Sequence, residues 1–176
     1  MTNGMNSLRT AVIIVNFNGK DFLDRCLGSL KRQTFSNFEI VVVDNASNDG
    51  SADEIEGRFL GIKVIRLSKN IGFAAANNLA VQQVKDCRWV ALLNPDAFAE
   101  PDWLLNLHQA AEENPAFSFF GSHMKQYGSS GHLDGTGDIY HLSGLAWRRD
   151  HGISEDKVFR SSSEIFSPCA AASTHG

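Results

Sequence analysis

Four short polar stretches each follow an apolar run: Asn16-Phe17-Asn18, Asp44-Asn45, Ser68-Lys69-Asn70 and Asn94-Pro95-Asp96. Asparagine and aspartate favour turns because their side chains hydrogen-bond nearby backbone. Their recurrence at four successive strand ends is more than turn preference requires. Amides and carboxylates supply donors and acceptors for a polar ligand, and a carboxylate can also hold a hard cation. Asp96 is the sharpest case. Pro95 fixes the backbone just before it and so limits the directions the carboxylate can take. Magnesium commonly uses one or two protein carboxylates, with waters and substrate phosphates completing its shell. Asp96 is therefore a candidate ligand for Mg²⁺ or Mn²⁺ beside a diphosphate.

The elements that would position these residues alternate along the chain. Thr10–Asn16 is apolar almost throughout and predicts a strand covered on both faces. A helix is expected over 21–33, capped by Asp21, with Phe22, Leu23, Cys26, Leu27 and Leu30 on its inner face. Strands follow at 38–43 and 62–67, with a short helix at 52–59 between them. A helix rich in small residues spans 72–85, and Trp89–Leu93 is the fourth strand. Glu100-Pro101 opens a helix with Trp103, Leu104, Leu107 and Ala111 inward, and 117–120 is a fifth strand. Strands alternating with helices predict an α/β domain with a mostly parallel sheet. In such sheets ligands bind beyond the carboxyl ends of the strands, where the four polar stretches stand.

Composition narrows the ligand. The chain has 176 residues, 43% hydrophobic and 20% charged, with a formal net charge of −4. This suits one globular domain and disfavours bulk attraction to nucleic acid. Cys26, Cys87 and Cys169 form no CxxC pair, so zinc and disulfide frameworks are not expected, and reduced thiols point to a cytoplasmic protein. No apolar run approaches a membrane span. The first strand runs into "NFNGKDF" rather than GxGxxG, which argues against a dinucleotide site. A Walker P-loop is also missing from the sequence. Without a glycine cradle, a metal is the natural means for an acidic protein to hold a diphosphate.

"AVIIVNFNG", "FEIVVVDNASNDGS", "NIGFAAANN" and "LLNPD" occur in the order and approximate spacing of family-2 glycosyltransferases of GT-A fold. The Asn-Pro-Asp form resembles the rhamnosyltransferase-like branch. The resemblance implies that Asn16 to Asn18 lie along the nucleotide base and that Asp44, followed by Asn45, accepts from the base ring N–H. It implies further that Asn70, Gly72 and Asn78 line base and ribose, that Asn94 meets a ribose hydroxyl, and that Asp96 binds the metal. The implied reaction is inverting transfer from a UDP- or dTDP-linked sugar, dTDP-rhamnose among them, to a glycan or lipid-linked acceptor, by a cytoplasmic protein peripheral at the cytoplasmic membrane face.

The resemblance also implies a general base beyond the "SPCAAAS" segment. On this reading 1–9 is a flexible lead, 10–121 the nucleotide-sugar-binding domain, and 122–176 glycine-rich loops with the start of a truncated acceptor side. The catalytic base is then unknown, and an open strand edge is expected near 170–173. Two other readings are a truncated nucleotide-sugar-binding module and a sugar nucleotidyltransferase. The latter wants a glycine-rich basic loop after the first strand, which "NFNGKDF" does not supply.

Overall fold

The computed structural model describes residues 9–129, 131–158, 162–169 and 172–175. Its centre is a six-stranded sheet in the order β3-β2-β1-β4-β10-β5. Four strands are parallel: β1 (Thr10–Asn16), β2 (Phe38–Asp44), β3 (Lys63–Arg66) and β4 (Trp89–Leu93). The helices are α1 (Lys20–Leu30), α2 (Ser51–Arg58), α3 (Phe73–Gln83) and α4 (Trp103–Glu113).

Alternation along β1 and β2 explains why the middle of each strand is apolar on both faces. Val12, Ile14, Ile40 and Val42 face a core with Leu23, Cys26, Leu27 and Leu30 of α1, Ile55 of α2 and Leu104 of α4. Ile13, Val15, Val41 and Val43 face the other side, against Ala76 and Ala80 of α3. Successive residues of a strand point to opposite faces, so a sheet covered on both favours apolar side chains along the strand and leaves polar ones to its ends. The two alanines, one helical turn apart, let α3 lie close to the sheet.

Local boundaries differ from the sequence expectation for identifiable reasons. Asp21 sits inside α1 rather than capping it; Gly19 holds the cap position, and the Lys20 N–H is met by Asp49 from another loop, at 2.9 Å. Phe22 is exposed while the rest of the expected inner face is buried. α1 ends at Leu30, and residues 100–102 form a turn before α4, closed by the Trp103 N–H on the Glu100 carbonyl at 3.0 Å.

The larger correction concerns the far end of the chain. β10 (Ala172–His175) enters the sheet antiparallel between β4 and β5 (Phe119–Gly121). It has a partner on each side, so the open edge expected near 170–173 is not found at its described residues. The glycine-rich region forms two small antiparallel pairs. The first is β6 (Met124–Lys125) with β7 (Leu133–Gly135); the second is β8 (Asp138–Tyr140) with β9 (Ala146–Arg148). Gly137, at φ 129°, lies where a Cβ would fall 2.9 Å from Ile165, so any side chain there would displace the 165–168 segment. No helix among the described residues is long and apolar enough to cross a membrane.

Because β10 is interior, Ser173→Pro should be costly. It removes a ladder N–H and leaves a buried acceptor unpaired, a loss of about 2 kcal/mol or more. Urea unfolding checks this; at an edge strand the same change would be nearly neutral.

Candidate functional site

The carboxyl ends of β1 to β4 lie on one edge of the sheet. The register sets Asn16 beside Asp44, and Asp44 beside Arg66. β1 is flanked by β2 on one side and β4 on the other, so the chain direction across the sheet reverses between β1 and β4. That is the switch point at which open α/β sheets form a crevice. The chain leaving β1 passes close to the β4 turn: a Cβ on Gly19 would lie 2.4 Å from Asn16 Oδ1 and 3.5 Å from Pro95 Cβ.

Asn16 is fully buried, at 0% exposure. Its Nδ2 donates toward Ser51 Oγ (2.8 Å), Ser47 Oγ (3.1 Å) and Asp44 Oδ1 (3.2 Å). Three acceptors thus share two hydrogens. The amide expected along a nucleotide base is used inside the protein instead, binding β1 to the loop that follows β2. That loop, 45–50, takes positive φ at Ala46 and Gly50. Asn18, also at positive φ, accepts the Asn48 N–H through Oδ1 (2.9 Å) and donates its own N–H to Ser47 Oγ (3.0 Å).

Asp49 holds the other end of this loop. Its carboxylate accepts the Ser51 N–H and hydroxyl at 3.0 and 2.6 Å and the Lys20 N–H at 2.9 Å, joining the starts of α1 and α2. Desolvation alone would raise its pKa. The bonds from the Ser51 hydroxyl, the Ser51 N–H and the Lys20 N–H outweigh that and hold it below the ordinary 3.8.

Asn45, 2% exposed, performs the same service for the next loop. Its Nδ2 donates to Asn70 Oδ1 and its Oδ1 accepts the Ile71 N–H, both at 2.9 Å. Asn70 Oδ1 accepts from Gly72 N–H as well, at 2.9 Å. Gly72, at φ 84° and ψ 162°, starts α3 with nothing within 4 Å of where its Cβ would stand, so its backbone is open to close approach. Asn78 is exposed on α3; its neighbour Asn77 turns inward and donates to the Phe73 carbonyl at 3.0 Å.

Asp44 is 5% exposed. Its carboxylate receives Asn16 and, at 3.4 Å, the Ser47 N–H. A carboxylate has about four acceptor positions, so capacity remains for a further donor beyond these two.

Beyond β4 the chain turns at once. The Ala97 N–H closes a β-turn on the Asn94 carbonyl at 3.0 Å, with Pro95 and Asp96 at its centre. Proline favours the first central position of such a turn. Asp96 is held at the tip and exposed, while the Asn94 side-chain oxygen is buried without a protein partner. Behind the turn, Cys26 Sγ lies 3.6 Å from the Asn94 carbonyl. Burial first, and the nearby Asp96 charge second, push this thiol up to about 12, so it is inert at neutral pH.

The donor set decides what metal chemistry fits. No three His, Cys, Asp or Glu side chains cluster to hold a metal among the described residues. Asp96 is one exposed carboxylate. That fits a magnesium- or manganese-like cation whose other ligands are waters and diphosphate oxygens, and does not fit an all-protein cage.

Some features of this edge were not read from the sequence. Phe17 and Phe73 are large exposed side chains, at 51% and 42%. The Arg25 guanidinium lies over the Phe98 ring at 4.4 Å and the Tyr127 ring at 4.8 Å, tying α1 to the chain just after Asp96. A cation over an aromatic is attracted by its quadrupole, but no short motif announces such a stack.

Fold and edge together define a Rossmann-like α/β protein whose polar strand ends gather at the β1–β4 switch point, where such sheets bind their ligands. The sequence pattern of glycosyl transferase family 2 matches residues 11–172, and the chain belongs to that family. A glycosyltransferase of Haemophilus influenzae, itself uncharacterized, is 28% identical over 138 residues, covering 74% of this chain and 42% of that protein. Bacillus subtilis TuaG, named provisionally as a teichuronic acid biosynthesis glycosyltransferase, is 33% identical over 118 residues, or 63% of this chain and 45% of its own. Among solved structures, S. aureus TarS 1-349 in complex with UDP-GlcNAc superposes with a TM-score of 0.62 at 26% identity, covering 70% of this chain and 36% of that one. The fold is thus that of the GT-A glycosyltransferases. The chain spans less than half the length of each of these three proteins.

Two outcomes test the geometry. Gly19→Ala drives a methyl group into Asn16 Oδ1 and should destabilise the protein by about 1–3 kcal/mol in chemical denaturation. For Asp49 the folded pKa is depressed, so its contribution is present above 3.8 and is lost as pH falls through the lower folded value. The stability difference between the parent and Asp49→Asn should therefore be largest near neutral pH and shrink below pH 3.8.

Proposed function

We propose that residues 10–121, with β10 completing their sheet, hold the nucleoside-diphosphate sugar of an inverting glycosyltransferase, and that the loops and strand pairs between β5 and β10 face its acceptor. The observation that carries this reading is the gathering of Asp44, Gly72, Asn94 and Asp96 at one sheet edge, around the switch point. In this arrangement Asp44 accepts a base ring N–H, Gly72 lets ribose approach the backbone, Asn94 meets a ribose hydroxyl, and Asp96 anchors the metal. Asn78 lies on the exposed side of α3, within the stretch assigned to base and ribose. Asn16, Asn18, Asn45 and Asn70 act one step back, fixing the loops that present these groups.

The bond that breaks joins the anomeric carbon to the diphosphate, which leaves with the electron pair. The acceptor hydroxyl attacks from the opposite face and gives up its proton to a base. A divalent cation at Asp96 would neutralise charge developing on the leaving diphosphate. The protein residues bind and orient the donor.

UDP-GlcNAc in S. aureus TarS supports a uridine donor. The Asn-Pro-Asp signature supports dTDP-rhamnose. The teichuronic acid assignment of Bacillus subtilis TuaG supports an acceptor in cell-surface polysaccharide, glycan or lipid-linked, with the chain working at the cytoplasmic membrane face.

Calorimetry with UDP, dTDP and the bare nucleosides, each with and without Mg²⁺ or Mn²⁺, tests this reading. Asp44→Ala should weaken nucleotide binding about tenfold or more, since it removes a hydrogen bond to a charged acceptor. Metal should tighten only the diphosphates, and Asp96→Ala should abolish that gain. A folded Asp44→Ala protein that binds as tightly as the parent, or an equal metal effect on uridine, overturns the assignment.

A further inference from the structure

The β8–β9 hairpin and residues 166–167 line an open concavity of about 330 Å³. Its walls are Tyr140, Trp147 and Phe166, with Asp138, Arg148 and Ser167 among them. Tyr140 and Phe166 stack, with centroids 5.5 Å apart and planes 18° from parallel. All three aromatic side chains are exposed, Trp147 at 48% and Phe166 at 72%. Resting on the glycosyl-transfer reading above, we propose that this concavity binds a neutral saccharide segment of the acceptor.

The chemistry of the lining selects the occupant. A sugar ring is amphipathic: its C–H face packs on an aromatic ring, whose face carries partial negative charge, and its hydroxyls both donate and accept. Here the aromatic surface is set among hydrogen-bonding groups of both kinds. Arg148 pairs with Asp134, and Asp138 Oδ2 accepts the Ser167 hydroxyl at 3.2 Å. Arg148 is neutralised by Asp134 and Asp138 meets a neutral hydroxyl, so these charges give the concavity no cationic field to hold a phosphate. Both groups retain hydrogen-bonding capacity, because a guanidinium has five N–H groups and a carboxylate about four acceptor positions. A lipid tail or apolar peptide laid here would cover Asp138 and Arg148 without satisfying them, which is costly. The volume lies at the small end of ligand pockets, about 300–1,000 Å³, as one or two sugar rings require.

The concavity is also connected to the site. A Cβ on Gly135 of β7 would sit 3.3 Å from Arg148 Cβ, so the hairpin lies directly on β7. Gly135 pairs with Met124, which packs against the core with Ala97 and Phe98, the residues that follow Asp96. The hairpin that walls the concavity is thus linked through β7 and Met124 to the core against which the residues after Asp96 also pack.

The test uses the full chain on an array of neutral and anionic bacterial surface oligosaccharides, followed by titration of the retained glycans. UDP binding is measured on the same samples. The expected result is retention of neutral glycans, weakened at least tenfold by Trp147→Ala and by Phe166→Ala, with UDP affinity unchanged in both. Intact UDP binding with no glycan retained, retention of anionic glycans alone, or glycan binding unaltered in both variants overturns the proposal. So does a concentration-dependent dimer, or binding to phosphatidylglycerol vesicles, that Trp147→Ala abolishes while glycans are ignored. Glycan binding that both variants lose, in a protein that does not bind UDP, would sustain this site and overturn the donor reading instead.

Discussion

The carboxamide of Asn16 is the constraint around which the strand-end edge is arranged. It lies at the end of the central strand, fully buried, and serves three oxygens with two hydrogens. Through Ser47 and Ser51 it fixes a loop with two positive-φ residues; through Asp44 it orients a carboxylate that is itself almost buried. A carboxylate in such a place is expensive unless hydrogen-bonded. The same amide blocks any side chain at Gly19, and so sets how closely the first helix approaches the Pro95 turn. Strand ends, loops and helix starts are thereby held by one short polar side chain.

A second network continues outward. Asn45 fastens the loop before α3 to the end of β2, and Asp49 fastens the starts of α1 and α2 to each other. The edge is built as a sheet of loops cross-linked by amides and hydroxyls. This suits a binding surface that must present few groups in fixed directions, since preorganised groups lose little freedom when a ligand arrives.

The sheet and its helices were legible because burial on two faces leaves a plain pattern: the five-residue run at Trp89–Leu93 and the heptad-like spacing of Leu23, Leu27 and Leu30 admit few alternatives. The gathering of polar strand ends was legible for the same reason. Which of those residues face outward was not. Asn16 and Asn78 are the same residue type, and only the three-dimensional path of the loops makes one a buried strut and the other an exposed surface group. Helix starts were misread where the cap came from a distant loop, as Asp49 does for Lys20. The two small strand pairs were unreadable because strands of two or three residues carry no period.

The position of β10 has a consequence for the order of assembly. Thr174 Oγ1 bonds the Val90 carbonyl across 84 residues of sequence, and among the described residues β5 joins the sheet through β10. The β3-β2-β1-β4 portion precedes β10 in the chain and can form as the chain emerges. Inserting β10 must come later, because it is made last and its own long loop must be closed before the new pairings repay the entropy. Until then β4 stands as a bare apolar edge, a template for pairing with another chain. Folding yield is therefore governed less by the ligand edge than by how quickly one four-residue strand reaches its place.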